Sequence, residues 1–497
     1  MRNKLPITIF LVFLIINFCA VHGVIAQDQI GDPILGDSIG DEAGQGLSLN
    51  NDGSIVAIGA PFDRTGSDTH GQVRVFENVN GNWVQLGNEV EGFADDIYLG
   101  TSVAINAAGT IFIAGDPLSS AGDGGGAAYV FELINDVWTQ KGQRLGGMLG
   151  GDIYGADVSI NDAGDIVAVG DRLSDEFNTN AGIVQVFKFM NGSWVQMGDN
   201  IDGSEPFDEC GDGISLNASG NRIAVGAPFH DPSGGADGQV RVFEFINGNW
   251  VQIGQDIIGE TPNDVSGRSV SLNNAGNIVA IGAPNNGDGG GQFPGSIRVF
   301  QLTNGIWTQL GQDLDGEDLD RFGEFVSLNG VGNVLIGGGY GYDNDRGRAR
   351  VYQLINGVWN QAGTDLLGEP DSWFGLRTAI SEDGRVVAAA GPADNMETGM
   401  VKVYGMSNVL GINTVGSSDF VVYPNPSDGI IYLDSNSAQF TLHTVNVYDQ
   451  LGRLVHSVNG KQLDDSYTLD LSHLTSSLYF LEIETGQTRT IQSVIIR

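Results

Sequence analysis

The chain has 497 residues, 75 of them glycine, and a formal charge of −38. That balance excludes nucleic acid and anionic membrane surfaces as partners, because both need basic patches. Glycine at about twice its ordinary share of roughly 7% points to many tight turns. The excess of carboxylates favours solubility and offers hard oxygen ligands to divalent cations.

Residues 1–26 read as a secretory signal peptide, with Arg2 and Lys4 before an apolar core from Ile7 to Ala20. Val24-Ile25-Ala26 places short side chains before a cleavage point at Gln27. Cys19 leaves with this segment, so the mature chain keeps Cys210 alone and forms no intramolecular disulfide. Loss of the two cations moves the charge from −38 to −40. No later run is long and apolar enough to be a transmembrane segment.

From Asn50 onward one unit recurs. NNAGNIVAIGAP (273–284) has six close copies, beginning at Asn50, Asn106, Asn161, Asn217, Asn329 and Ser381. A period this long signals a repeat architecture. Each copy opens with a short apolar strand such as VSLN (270–273), entered through an apolar-Gly pair such as Leu99-Gly100, Tyr154-Gly155, Phe322-Gly323 or Phe374-Gly375. Cys210-Gly211 fills the same slot, which makes Cys210 a packing residue rather than a nucleophile. Asn-x-x-Gly then signals a hairpin into a second strand, IVAIGAP. A variable loop leads to a third strand, VRVF. Asn-Gly, at 80–81, 191–192, 247–248, 304–305 and 356–357, turns into a fourth strand, W-x-Q-x-G. The tryptophans Trp83, Trp138, Trp194, Trp250, Trp307 and Trp359 are spaced by 55, 56, 56, 57 and 52 residues.

Four antiparallel strands repeated seven times predict an all-β, seven-bladed β-propeller. The seventh copy stops at Val401-Lys402-Val403-Tyr404 without a W-x-Q-x-G strand, whereas residues 29–36 (QIGDPILG) match the end of that strand elsewhere (QLGQDLDG, 309–316). The N-terminus is therefore expected to supply the outer strand of the last blade, closing the ring and covering its edge.

Gly-Ala-Pro at 59–61, 226–228 and 282–284, with the aromatic-Gly pair, resembles the FG-GAP repeat of integrin α subunits and bacterial surface proteins, over about residues 28–408. That resemblance implies calcium held by D-x-[DN]-x-D-G-x-x-D in the first hairpin. Here Ser48 and Val56 stand where carboxylates are needed, so these hairpins read as turn chemistry without metal. The variable loops and blade crossings share the opposite face of the ring, where binding is expected. They carry Asp63, Asp68, Asp123, Asp288 and the run Glu317-Asp318-Leu319-Asp320. Asp231, Asp237, Asp343 and Asp345 are weak candidate Ca2+ ligands among them, without a recognisable spacing. No catalytic motif is present: His70 and His230 lie in different blades, and there is neither a nucleophile elbow nor a zincin site. Trp373, in a crossing, reads either as an exposed stacking residue or as a satisfied loop residue.

After a polar linker (409–418), residues 419–497 predict a small Ig-like β-sandwich. Tyr423-Pro424-Asn425-Pro426, Tyr448-Asp449, Gly452-Arg453, Leu471 with Leu474, and Leu478-Tyr479 resemble the C-terminal sorting domain of type IX secretion. The resemblance implies a Gram-negative cell, engagement of the type IX machinery by residues 419–497, and release or surface anchoring after loss of the tail. The propeller thus spans 27–408. Two roles are expected for it: a secreted or cell-surface adhesion module for an extracellular glycan or protein, or an extracellular polysaccharide hydrolase or lyase using carboxylates in the channel.

Overall fold

The computed structural model describes residues 26–65, 68–92, 98–119, 125–147, 152–232, 234–287, 292–407, 420–423, 427, 429–435, 440–448, 453–463, 466–475, 477–485 and 489–496. Signal-peptide residues 1–25, the linker at 409–418, Asp123, Asp288 and Pro424–Pro426 lie outside them.

Seven antiparallel sheets follow one another along the chain. Blade one is typical: Gly46–Leu49, Ile55–Ala60, Gln72–Val79 and Asn82–Gln85 run from the axis outward. The inner strands touch their neighbours in sequence, and Arg377–Ile380 of blade seven returns to Gly46–Leu49, so the ring is closed. Second strands are apolar on both faces, as in Ile278–Ala283, because each is sandwiched between adjacent blades.

Each Asn-x-x-Gly turn is self-capped. Asn106 Oδ1 accepts the amides of Thr110 and Ile111, both at 2.9 Å, while Gly109 takes φ 69°. Asn161, Asn273 and Asn329 cap the same way, and Ser381 Oγ does so in blade seven. These asparagines thus do the turn chemistry expected of them.

The glycines at the second-strand end and in the apolar-Gly pair serve one contact. A Cβ on Gly59 would collide with the Gly100 backbone of the next blade, and Gly115, Gly226 and Gly282 face Gly155, Gly267 and Gly323 in the same way. The backbones of neighbouring blades meet here with no room for a side chain. Blade seven differs from the others. Ala390 occupies the slot and Gly391 comes one residue later; the Ala390 methyl packs on Gly44.

Ring closure follows the sequence expectation. Ala26–Gln29 pairs antiparallel with Met400–Ser407, and Ile34–Leu35 pairs with the start of that strand. The sequence reading had missed this second piece. In every blade the outer strand breaks at a positive-φ glycine, after W-x-Q-x-G in blades one to six and at Gly31 in blade seven, and a two-residue strand such as Val90–Glu91 or Leu314–Asp315 rejoins the third strand. Its first residue is buried each time, Val90 at 6% and Leu314 at 3% exposed.

The tryptophans pin each blade to the one before it. Trp138 Nε1 donates to the Leu86 carbonyl at 2.8 Å and Trp307 Nε1 to that of Ile253 at 2.8 Å; all six do likewise. Blade seven has Gln27 at the tryptophan's register position, opposite Met406. Gln27 Nε2 donates to the Ala362 carbonyl at 3.2 Å, and its Oε1 accepts from Thr364 N at 2.8 Å. One amide side chain thereby replaces the indole contact at the seam.

The tail is a two-sheet sandwich. Phe420–Tyr423, Ile430–Ser435 and Ser466–Asp470 form one sheet; Leu454–Leu463, Phe440–Tyr448, Ser477–Thr485 and Arg489–Ile496 form the other. Ile431, Val445, Leu469, Leu471, Leu481 and Val494 fill its core.

Candidate functional site at the mouth of the central channel

The inner strands start at the loop-bearing face, directly after the apolar-Gly pair. The next one or two residues therefore line the channel mouth. In four blades these are charged: Asp157, Asp212, Arg268 and Arg377, with Glu324 in a fifth. With Arg172, from the end of a second strand, they surround a cavity of about 270 Å3. An adjoining depression of about 320 Å3 shares Arg172, Arg268 and Glu324 and adds Phe229, Arg321 and Tyr340.

A charge ladder runs along the wall. Arg172 meets Glu209 at 2.6 Å and Asp212 at 3.5 Å. Arg268 bonds Asp212 through Nη1 and Glu324 through Nε, the latter at 3.1 Å. The Asp212 carboxylate, foremost, tightens Arg268's hold on its proton, and burial raises the pKa of Glu209. Asp157 accepts the Ile214 amide at 2.8 Å and the Val158 amide at 3.0 Å, tying blade three to blade four; burial pushes its pKa up to about 7. Arg377 differs. Among the described residues it forms no ion pair; its Nη1 donates to the Leu376 carbonyl at 3.2 Å, and its guanidinium lies 5.0 Å from the Phe325 ring centre. Burial, then the neighbouring Arg268, lowers its pKa.

The opposite end is bridged by side chains of the first-hairpin turns. Glu382 accepts from Asn51 at 2.7 Å and from Asn274 at 2.6 Å, and Asn51 also reaches Asp162 at 3.5 Å. These bonds join blades five, seven, one and three across the axis. In the wall between, Ser48, Ser159, Ser215 and Ser271 accept the amides of Ile105, Leu216, Leu272 and Leu328 in the next blade. Ser48, which fails as a calcium ligand, is thus a blade-to-blade strut.

The sequence candidates are placed elsewhere. Asp231 Oδ1 accepts the amides of Gly234 and Gly235 at 2.5 and 2.6 Å, capping its own loop, while Asp237 is buried. Asp343 and Asp345 sit in a left-handed turn, φ 50° and 63°, with Arg346 3.7 Å from Asp343. Among the described residues, no three His, Cys, Asp or Glu side chains gather to hold a metal. Glu317 and Asp320 serve arginines: Asp320 meets the fully buried Arg348 at 2.6 Å, and Glu317 meets Arg350 at 2.8 Å. His230 Nδ1 lies 3.1 Å from Asp208, and Trp373 is half-buried at φ 55°. Cys210 is fully buried, its thiol pushed up to about 11 by burial. The channel arginines were missed. Their signal was there: charge directly after the apolar-Gly pair, where other copies have small or neutral residues.

A family model described as the secretion system C-terminal sorting domain matches residues 421–497. The tail directs the protein through type IX secretion to the cell surface or extracellular space. No curated protein matches the chain. Among solved structures, the propeller is similar to a 6-phosphogluconolactonase candidate from Bacteroides uniformis, at 16% identity and TM-score 0.46 over 65% of this chain and 85% of that one. A second such candidate, from Bacteroides fragilis, has 15% identity and TM-score 0.47 over 67% and 85%. The periplasmic gluconolactonase of Pseudomonas aeruginosa has 14% identity and TM-score 0.45 over 65% and 85%. At these identities the likeness concerns the fold.

Proposed function

We propose that the protein is an exported binding module, of FG-GAP-like build, that holds an extracellular glycan or protein on its loop-bearing face. The observation carrying this reading is the charged cavity at the channel mouth, built by inner strands of several blades, in a channel whose opposite end is bridged by side chains. Rigid strands position its side chains, and a concave site with a few convergent polar groups is the ordinary form of a ligand site. Calcium, if the loops take it up, acts there as an accessory. The test is a binding screen of the mature chain against extracellular glycans and matrix proteins, with and without calcium. Saturable binding is expected, and a blank screen overturns the reading.

The second reading is polysaccharide cleavage. It is supported by Asp157, Asp212 and Glu324 in one cavity, with the Asp157 carboxyl poised near neutrality. Against it, both Asp157 oxygens already accept backbone amides. Release of reducing ends or unsaturated products, abolished by Glu324→Gln, would favour this reading over binding alone.

A further inference from the structure

Every carboxylate at the mouth is held by an arginine or by backbone amides, whereas two arginines have only neutral partners, Arg377 the Leu376 carbonyl at 3.2 Å and Arg321 the Asn285 side chain at 3.5 Å. Glu209, Asp212 and Glu324 are engaged by Arg172 and Arg268, and Asp157 by two amides. Among the described residues, Arg377 and Arg321 form no ion pair. Both are stacked instead: Arg377 on Phe325 at 5.0 Å, Arg321 on Tyr340 at 5.7 Å and Phe293 at 5.1 Å. A stacked guanidinium is pre-organised, so its planar fork can take a two-oxygen anion with little loss of freedom. In a chain with 61 acidic and 23 basic residues, an arginine inside a cavity that forms no ion pair among the described residues stands out as a recognition device, although Glu324, Asp157 and Asp212 lie close enough to act on its charge.

Resting on the binding reading above, we infer that the mouth binds an anionic glycan, with a carboxylate- or sulfate-bearing sugar seated against Arg377 and the neighbouring sugars directed past Arg321. The cavity volume of about 270 Å3 lies at the small end of ligand sites, which suits one sugar unit rather than a long segment. The adjoining depression continues it. There Phe229, 41% exposed, offers an apolar face, while Tyr340, Asn285 and Glu324 offer donors and acceptors for hydroxyls. An acidic peptide fits less well. Extended peptides add to free strand edges, and four amides on the channel-facing edges are already taken by Ser48, Ser159, Ser215 and Ser271.

The test is calorimetric titration of the full mature chain with four matched-length probes: a neutral glucan, a polyuronate, a sulfated glucan and a glutamate peptide. Saturable binding of the polyuronate, the sulfated glucan or both is expected, weakening with salt, and which one binds identifies the anion. Arg377→Gln should lower that affinity at least tenfold, with Arg377→Lys intermediate. Should Arg377→Gln fail to fold, Thr101→Glu, which adds a negative charge to the cavity wall while keeping Arg377, should give a similar loss. Equal binding of the neutral glucan, preference for the peptide, or unchanged affinity in both Arg377→Gln and Thr101→Glu overturns the anion assignment and leaves the binding module standing. Silence from all four probes together with a blank wider screen overturns both.

Discussion

Asp171→Asn tests how the ring handles a carboxylate where other blades place alanine. Asp171 ends Ile166–Asp171, in the slot held by Ala60, Ala227 and Ala283 elsewhere, and is 1% exposed. Its Oδ1 accepts the Ile153 amide at 3.1 Å. Burial first, then the nearby Asp152 carboxylate, raises its pKa from 3.8 to about 7. The folded state therefore keeps a proton that the unfolded chain has already lost. The sign follows: stability is full below about pH 4 and is lost as pH rises through about 7. At about 1.4 kcal/mol per pH unit, the whole difference amounts to about 4 kcal/mol, of which about 2.5 kcal/mol falls between about pH 5 and pH 8. Asparagine keeps the acceptor and cannot ionise. Urea unfolding followed by tryptophan fluorescence reports on the propeller alone, since all 7 tryptophans precede residue 408. The wild type should lose about 2.5 kcal/mol more than Asp171→Asn between those pH values. Asp116 and Asp157, raised to about 6 and about 7, titrate in both proteins and cancel in the difference. Parallel pH profiles for the two proteins would refute the argument.

Gln27→Ala removes three hydrogen bonds at the closing seam and should cost about 1–2 kcal/mol; amide exchange at Tyr404–Met406 should quicken before the rest of the propeller, and uniform exchange would count against a seam. Gly59→Ala drives a methyl into the Gly100 backbone of the next blade, costing about 3 kcal/mol or more by overpacking; an unchanged melting temperature would contradict the close approach. The Cys210 thiol, fully buried and raised to about 11, should resist a thiol reagent at about pH 8 in the native protein and react on unfolding.

The fold was legible because its signals recur in most of the seven blades. Apolar-Gly, Asn-x-x-Gly, Asn-Gly and tryptophan each impose one local geometry, and repetition separates them from chance. Ring closure was legible for the same reason, since residues 29–36 match a strand end that the seventh copy lacks. The two-residue outer strands were not: Leu314–Asp315 is too short to show a period. Another device was also overlooked. Asp41, Asp208 and Asp264, each 1% exposed, use Oδ2 to accept two amides of the preceding crossing. Read from sequence, such residues merge with the general acidity, because composition cannot distinguish a solvated carboxylate from a buried cap. The candidate site was hidden for a further reason: it lies at the mouth, where strands distant in sequence converge, whereas the sequence reading named metal ligands only within single loops and no particular residues for the channel.

A closed ring gives every blade the same slots, so a departure from the repeat either has a structural replacement beside it or lacks one. Gln27 replaces a tryptophan, and its amide makes the indole's contact. Ala390 replaces a glycine, and its methyl meets Gly44 rather than a larger side chain. Asp116 replaces an alanine, and its Oδ1 takes the Tyr98 amide at 2.9 Å. Each of these departures is answered within the fold. Arg377 stands where Gly46, Ser102, Gly213 and Ser269 begin the inner strands, and no carboxylate among the described residues pairs with it. The slot holds glycine or serine in those four blades, Asp157 in blade three and Phe325 in blade six, so a large cation beside the cavity is not part of the repeat. Its counterpart is therefore to be sought outside the chain.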